Sequence, residues 1–199
     1  DHGNLFGAVE FSKKASAAGV KPILGYEAYV APGKMTEREQ RNGKASYHLT
    51  ILARNQRGWH NLIKLASLAY QKGFYYKPRI DKEALAAHAE GLIGFSGCPN
   101  SESSVQVRAG QEEMALKTCG EYRDIFGKEN FFLEIQDHGM DFERQITASM
   151  AKFSKTLGVP LVATNDVHYI RREDAAAQDV LICIGTNRTV NDEGRMKMS

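Results

Sequence analysis

Short β-prone apolar runs alternate along this chain with longer stretches of helical period, and that beat constrains its fold more than any other feature. "KPILGYEAYV" (21–30), "YHLTILA" (47–53), "GLIGFSGC" (91–98), "NFFLEIQ" (130–136) and "VPLVATN" (159–165) read as strands. Residues 5–18, 59–70, 111–126, 142–157 and 173–184 read as helices. In the third of these, Ala115, Cys119, Tyr122 and Phe126 recur at i, i+4, i+7 and i+11 and define one apolar face. In the first, Leu5, Val9, Phe11, Ala15 and Ala18 are expected to share a face, with Asn4 as N-cap and Gly19 as the C′ residue. The charged segment 31–46, with Pro32, Gly33 and Gly43, reads as a solvated loop. Strand and helix alternating with short connections predict βα units, and therefore a parallel sheet or a barrel.

Size supports one core: 199 residues suffice for a single sizeable domain. Three cysteines in no paired pattern point to a reducing compartment, and the cytoplasm is the expected location. The net charge of +2 neither announces a nucleic-acid partner nor excludes one. No apolar run reaches the ~18 residues of a membrane span, so no membrane association is expected. The domain is expected to occupy residues 1–184; the polar, glycine-bearing segment 185–199 reads as an exit toward another module. The chain opens with Asp1-His2-Gly3-Asn4, the kind of sequence found at a strand-to-helix turn, so it reads as a piece of a longer protein.

In α/β folds of this type, function gathers at the carboxyl ends of strands. Those ends here carry Glu27, His48, Cys98 and the pair Asp166/His168, with His2 just ahead of the first helix. Three imidazoles, two carboxylates and a thiol are all metal-ligand types. Alternate residues beyond a strand point the same way, so Asp166 and His168 are expected to face one pocket. Each residue also has a plain reading: a strand histidine is usually a hydrogen-bonded structural group, and Cys98 alone reads as a small buried hydrophobe. Glu27 is harder to dismiss, because a buried carboxylate without partners is costly.

"DHGNLFGAVEF", "GVKPILGYEAYVAP", "HLTILARN", "GFYYKPRID", "GLIGFSGC", "FLEIQDHG" and "VATNDVHY", in that order, resemble the polymerase-and-histidinol-phosphatase (PHP) domain of bacterial replicative DNA polymerases of the C family, the DNA polymerase III alpha subunits. The resemblance implies a distorted (β/α)7 barrel, TIM-like, here lacking its first strand. It implies two or three divalent metal ions, zinc or manganese, held by His2, Glu27, His48, Cys98, Asp166 and His168. The family's first motif, a His-x-His with a further ligand after it, has no counterpart in this chain, so the site is expected to be incomplete as written.

The implied activity is 3′–5′ exonucleolysis of DNA, a proofreading reaction beside a magnesium-dependent polymerase. No side chain is assigned as the nucleophile, a role the resemblance gives to metal-bound water, with a metal pair ~4 Å apart clamping the phosphate. DNA and other replicase subunits are the implied partners. The competing reading is a catalytically silent barrel that braces the polymerase and a proofreading partner. Outside the ligand set, Tyr75, Tyr76, Lys77 and Arg79 are candidates for stacking on bases and pairing with phosphate, against the plain reading of a surface turn around Pro78. His138 is a candidate for orienting a ligand from behind.

Overall fold

The computed structural model describes residues 1–38, 40–41 and 43–196. Two of the loop residues between 31 and 46, and the last three of the expected exit segment, lie outside them. The chain divides into two compact units, residues 1–164 and 165–199.

Among the described residues, the first unit holds one six-stranded sheet: β1 (Gly25–Val30), β2 (Tyr47–Ala53), β3 (Arg79–Ile80), β4 (Leu92–Phe95), β5 (Phe131–Ile135) and β6 (Leu161–Ala163). Its order is β3-β1-β2-β4-β5-β6. The helices are α1 (Ala8–Ala17), α2 (Gln56–Gln71), α3 (Lys82–Ala87), α4 (Glu102–Arg108), α5 (Glu112–Phe126), α6 (Asp141–Leu157) and, in the second unit, α7 (Ala175–Thr186). The class is mixed α/β.

Two expectations change. The sheet is not parallel throughout: β2 runs antiparallel to both of its neighbours, β1 and β4. The reason lies in the segment between β1 and β2, whose described residues form no helix, so the chain returns beside β1 in the opposite direction; a parallel return needs a crossover. The proposed apolar face of the first helix is also not a core face. Val9 is 60% and Phe11 52% exposed, and within α1 only Ala8 is buried. Asn4 accepts from Phe6 N in a tight turn, and the helix itself begins at Ala8, with the Asp1 carboxylate accepting from Gly7 N.

The core lies on one face of the sheet. Tyr26, Ala28 and Val30 of β1 alternate inward and meet Leu49 and Ile51 of β2, Leu92 of β4, and Phe131 and Leu133 of β5. Leu62, Leu65 and Ala69 of α2, the four-residue face of α5, and Ile146, Met150 and Phe153 of α6 cover them. Phe131, fully buried, stacks between the rings of Tyr122 and Phe126, at 6.1 and 6.0 Å. Burying such a side chain contributes roughly 1.5–3 kcal/mol. Gly94 of β4 makes room for this packing, because a Cβ there would lie 2.4 Å from the Phe126 ring.

Side chains cap several helices. Asn55 accepts from Gly58 N at α2, Asp81 from Ala84 N at α3, and Ser101 from Ser104 N at α4. β6 stands at one end of the sheet, and Leu161 is 40% exposed there. In the second unit, α7 ends at Asn187 in the left-handed region, and the Arg195 guanidinium pairs with both oxygens of Asp179. Among the described residues, no helix is long and apolar enough to cross a membrane.

Candidate metal centre

Period two sorts the residues of β1 between faces. Tyr26, Ala28 and Val30 go to the core; Gly25, Glu27 and Tyr29 go to the opposite, half-buried face. In the β1–β2 ladder Tyr29 stands opposite His48, and Glu27 opposite Thr50. His48 is thus diagonal to Glu27 on one face, within reach of a long side chain. Sequence reasoning placed His48 at a strand's carboxyl end; it is instead the second residue of β2. The reversed direction of β2 is what brings that start to the edge where β1 and β4 finish.

Two further segments converge on this spot. Residues 1–3 run beside β1 as a short parallel bridge, with Glu27 N donating to Asp1 O (3.0 Å) and Gly3 N to Glu27 O (2.8 Å). Gly3 has φ +69°, and a Cβ there would lie 2.8 Å from the Tyr29 ring. Only glycine therefore lets the chain turn tightly after His2 and leave Tyr29 in place. From the other side, β4 ends at Phe95, turns through Gly97 at φ +94°, and delivers Cys98. His48 N donates to Asn100 O (3.2 Å) and ties that turn to β2.

The result is a cluster around one carboxylate. Glu27 Oε1 lies 2.5 Å from His48 Nδ1, and Oε2 lies 3.4 Å from His2 Nδ1. Cys98 Sγ is 3.4 Å from both Glu27 Oε1 and His48 Nδ1. Ligand-type atoms of His2, Glu27 and His48 all fall within 4.8 Å of one another. Burial is the largest influence on the Glu27 carboxyl and pushes its pKa up. The hydrogen bond and charge of His48, the charge of His2 and the Cys98 thiol together outweigh it, and the pKa ends below its ordinary value.

Asp166 and His168 belong to the second unit and are close to each other within it. His168 Nδ1 is 2.6 Å from the Asp166 backbone oxygen and 3.9 Å from Oδ1. The expected reason does not hold, however. The strand stops at Ala163, and Asp166 has φ 45°, so a left-handed turn pairs these groups, not alternation along an extended tail.

The proposed nucleic-acid contacts separate. Tyr76 and Lys77 are exposed. Arg79 is 1% exposed: its guanidinium donates to the carbonyls of Gly73, Ala45, Met35 and Glu37, so it is structural and not a phosphate contact. A two-residue strand hides that burial from any reading of periodicity. His138 pairs through Nδ1 with Glu143 Oε1 (2.6 Å), and its backbone N–H donates to Oε2 of the same carboxylate (2.7 Å).

Sequence reasoning missed two features. Tyr29 packs edge-on against the His48 ring at 5.3 Å and lies 6.4 Å from the His2 ring. Its signal was available, since it follows Glu27 by two along a strand. The second is a polar band beside Cys98. Thr164 Oγ1 donates to Glu134 Oε1 (2.5 Å), Gln136 Nε2 donates to both, and Glu134, Gln136 and Glu143 border a small cleft with Cys98.

A family model of the PHP domain matches residues 1–138. The DNA polymerase III subunit alpha of Treponema pallidum is 46% identical over 198 residues, covering 99% of this chain and 17% of that protein. Its counterpart in Borreliella burgdorferi is 47% identical over 199 residues, 100% of this chain and 17% of that protein. The Thermus aquaticus protein of the same name is 47% identical over 199 residues, 99% and 16%. The chain spans less than a fifth of the length of these curated relatives.

Proposed function

Because this chain belongs to the PHP domain family, we propose that His2, Glu27, His48 and Cys98 hold divalent metal, that Asp166 and His168 are metal ligands in their own unit, and that the domain hydrolyses phosphodiesters at the 3′ end of DNA. The observation that carries this reading is the meeting of four ligand-type side chains, brought by the chain's first residues, by β1, by β2 and by the turn after β4, at one half-buried carboxylate. The donor set fits the ion: two imidazoles, a carboxylate and a thiol favour zinc or manganese over magnesium. When bound, such ions supply charge stabilisation for phosphoryl oxygens and a water nucleophile at neutral pH.

The chain's own groups do the rest. Glu27, held below its ordinary pKa, brings a full negative charge at neutral pH. Tyr29 packs against the His48 ring and fixes its orientation. The backbone bridge at Asp1–Gly3 sets the height of His2 above β1. We further read the longer protein as a bacterial replicative DNA polymerase, whose magnesium-dependent synthesis lies in another module and whose partners are DNA and other replicase subunits; the relatives' names support this.

The test uses the protein that carries this chain, with His48→Ala, Asp166→Asn and His168→Ala beside it. Metal content by mass spectrometry should fall in each variant. Degradation of a 3′-labelled single strand, with manganese or zinc added, should fall about 100-fold, equivalent to ~3 kcal/mol in the barrier. Undiminished degradation by all three would overturn the nuclease reading. Lost metal with no degradation by even the unaltered protein would establish the silent scaffold instead.

A further inference from the structure

Between α2 and β3 the chain makes a tight turn over Tyr75, Tyr76 and Lys77, with Tyr75 N donating to Lys77 O at 3.1 Å. Tyr76 at its tip has φ 58° and is 69% exposed. A bulky aromatic in the left-handed region is an outlier, and such strain persists only where the surroundings impose it. The turn is held from below by the buried Arg79, whose guanidinium bonds four carbonyls and lies 4.9 Å from the Tyr75 ring centre. The Tyr75 and Tyr76 rings are 4.5 Å apart.

This turn abuts the ligand cluster. The Lys77 ammonium sits 5.7 Å from the centre of the Tyr29 ring, the same ring that packs against His48 and neighbours His2. Pro78 lies under Gly3, where an added Cβ would come within 3.0 Å of its Cγ. One aromatic ring therefore separates a solvent-facing ammonium from the imidazoles. Farther back in the same segment, Phe74 and Tyr70, with Phe6, are exposed and step 6.2 Å from ring centre to ring centre.

We infer that the Tyr75–Lys77 turn docks a single-stranded nucleic acid onto the metal centre, Lys77 taking a phosphate next to the one at the ligand cluster and Tyr76 stacking on a base. This rests on the phosphodiesterase reading above and names the groups outside the ligand cluster that hold its strand. A small phosphate ester has one phosphate and no base, and leaves both groups idle; a polynucleotide strand uses both. Stacking on an exposed ring tolerates any base, and a lysine reads charge, not sequence. The strain also has a reason: glycine fits φ 58° without cost but brings no ring.

The experiment measures binding of a short fluorescein-labelled oligo(dT), in chelator and across a salt series, by anisotropy. It is paired with photo-crosslinking of a 5-bromodeoxyuridine strand to locate the contact in the protein that carries this chain. Tyr76→Gly relaxes the backbone, so weakened binding cannot be ascribed to unfolding; it should weaken binding about 5-fold or more and abolish the crosslink, while Tyr76→Phe retains both. Lys77→Ala should lower the slope of log affinity against log salt by about 0.7. Calorimetric titration of manganese into the same variants keeps the two readings apart. Unchanged manganese binding beside weakened oligonucleotide binding supports the docking role. Oligonucleotide affinity, salt slope and crosslink all unchanged in Tyr76→Gly and Lys77→Ala would overturn it.

Discussion

Arg79→Met is the substitution whose outcome the structure specifies most fully. The guanidinium is 1% exposed and donates to four backbone carbonyls, three of them in the long loop between β1 and β2 and the fourth at Gly73. Each hydrogen bond from a charged donor contributes ~1.5–3 kcal/mol, so the four together approach ~6–12 kcal/mol before costs. Taking the ion out of water offsets several kcal/mol of that, and burial accordingly lowers the Arg79 pKa. Methionine fills the space but leaves four carbonyls to find water at the loop's rim. A net loss of about 3 kcal/mol follows, which for a urea m of about 2 kcal/mol/M moves the midpoint down by about 1.5 M. The loop should loosen first, so trypsin should cut faster at Lys34, Arg38 and Lys44 under native conditions. A midpoint within about 0.25 M of the unaltered protein, with unchanged trypsin cleavage, would refute the staple and return Arg79 to the role of a surface contact.

Gly3→Ala forces an alanine to φ +69° and its Cβ onto the Tyr29 ring, so His2 must shift; manganese affinity measured by calorimetry should fall about tenfold, and affinity unchanged would refute the role of the Gly3 turn in placing His2. Glu143, 2% exposed, is pushed up by burial but held below its ordinary value by the hydrogen bonds from His138 and from Met140 N. A carboxyl with a depressed folded pKa stabilises fully above the unfolded value, near 4.5, and loses that contribution as pH falls through the folded value. Glu143→Gln should therefore destabilise by about 1–2 kcal/mol at pH 7 and by progressively less as pH falls below the unfolded value, read from urea midpoints across that range; a difference that does not shrink with falling pH would count against it.

The elements that were legible in the sequence are those whose pattern repeats often enough to be read. The α5 face from Ala115 to Phe126 shows helical period over three turns, and β2 alternates from Tyr47 to Leu52. β3, α3 and α4 escaped because two, six and seven residues carry too little periodicity. Their caps, Asp81 three before Ala84 and Ser101 three before Ser104, emerge only in the structure. The apolar residues of α1 misled because period says which residues share a face, not whether anything covers it. At the site, residue type identified His2, Glu27, His48 and Cys98. What type could not supply was the offset between β1 and β2 that sets His48 diagonal to Glu27, which is fixed by the ladder between two strands, or the left-handed turn at Asp166, a conformation that an aspartate's identity does not announce.

The reversal of β2 has a kinetic consequence. β1 and β2 pair antiparallel across a single loop, whereas β2 meets its other antiparallel partner, β4, only after α2, β3 and α3. The later pairs, β4 with β5 and β5 with β6, are parallel and must wait for whole helices to cross over. Loop closure favours contacts that are near in sequence, so the β1–β2 pair is the part of the sheet with the least entropy to lose before its first contacts form. Glu27 and His48 lie on these two strands. The heart of the ligand cluster is thus assembled by the quickest-closing stretch of the chain. A ligand able to bridge these two residues would meet its partners while β5 and β6 are still unpaired, and would bias folding from its earliest stage.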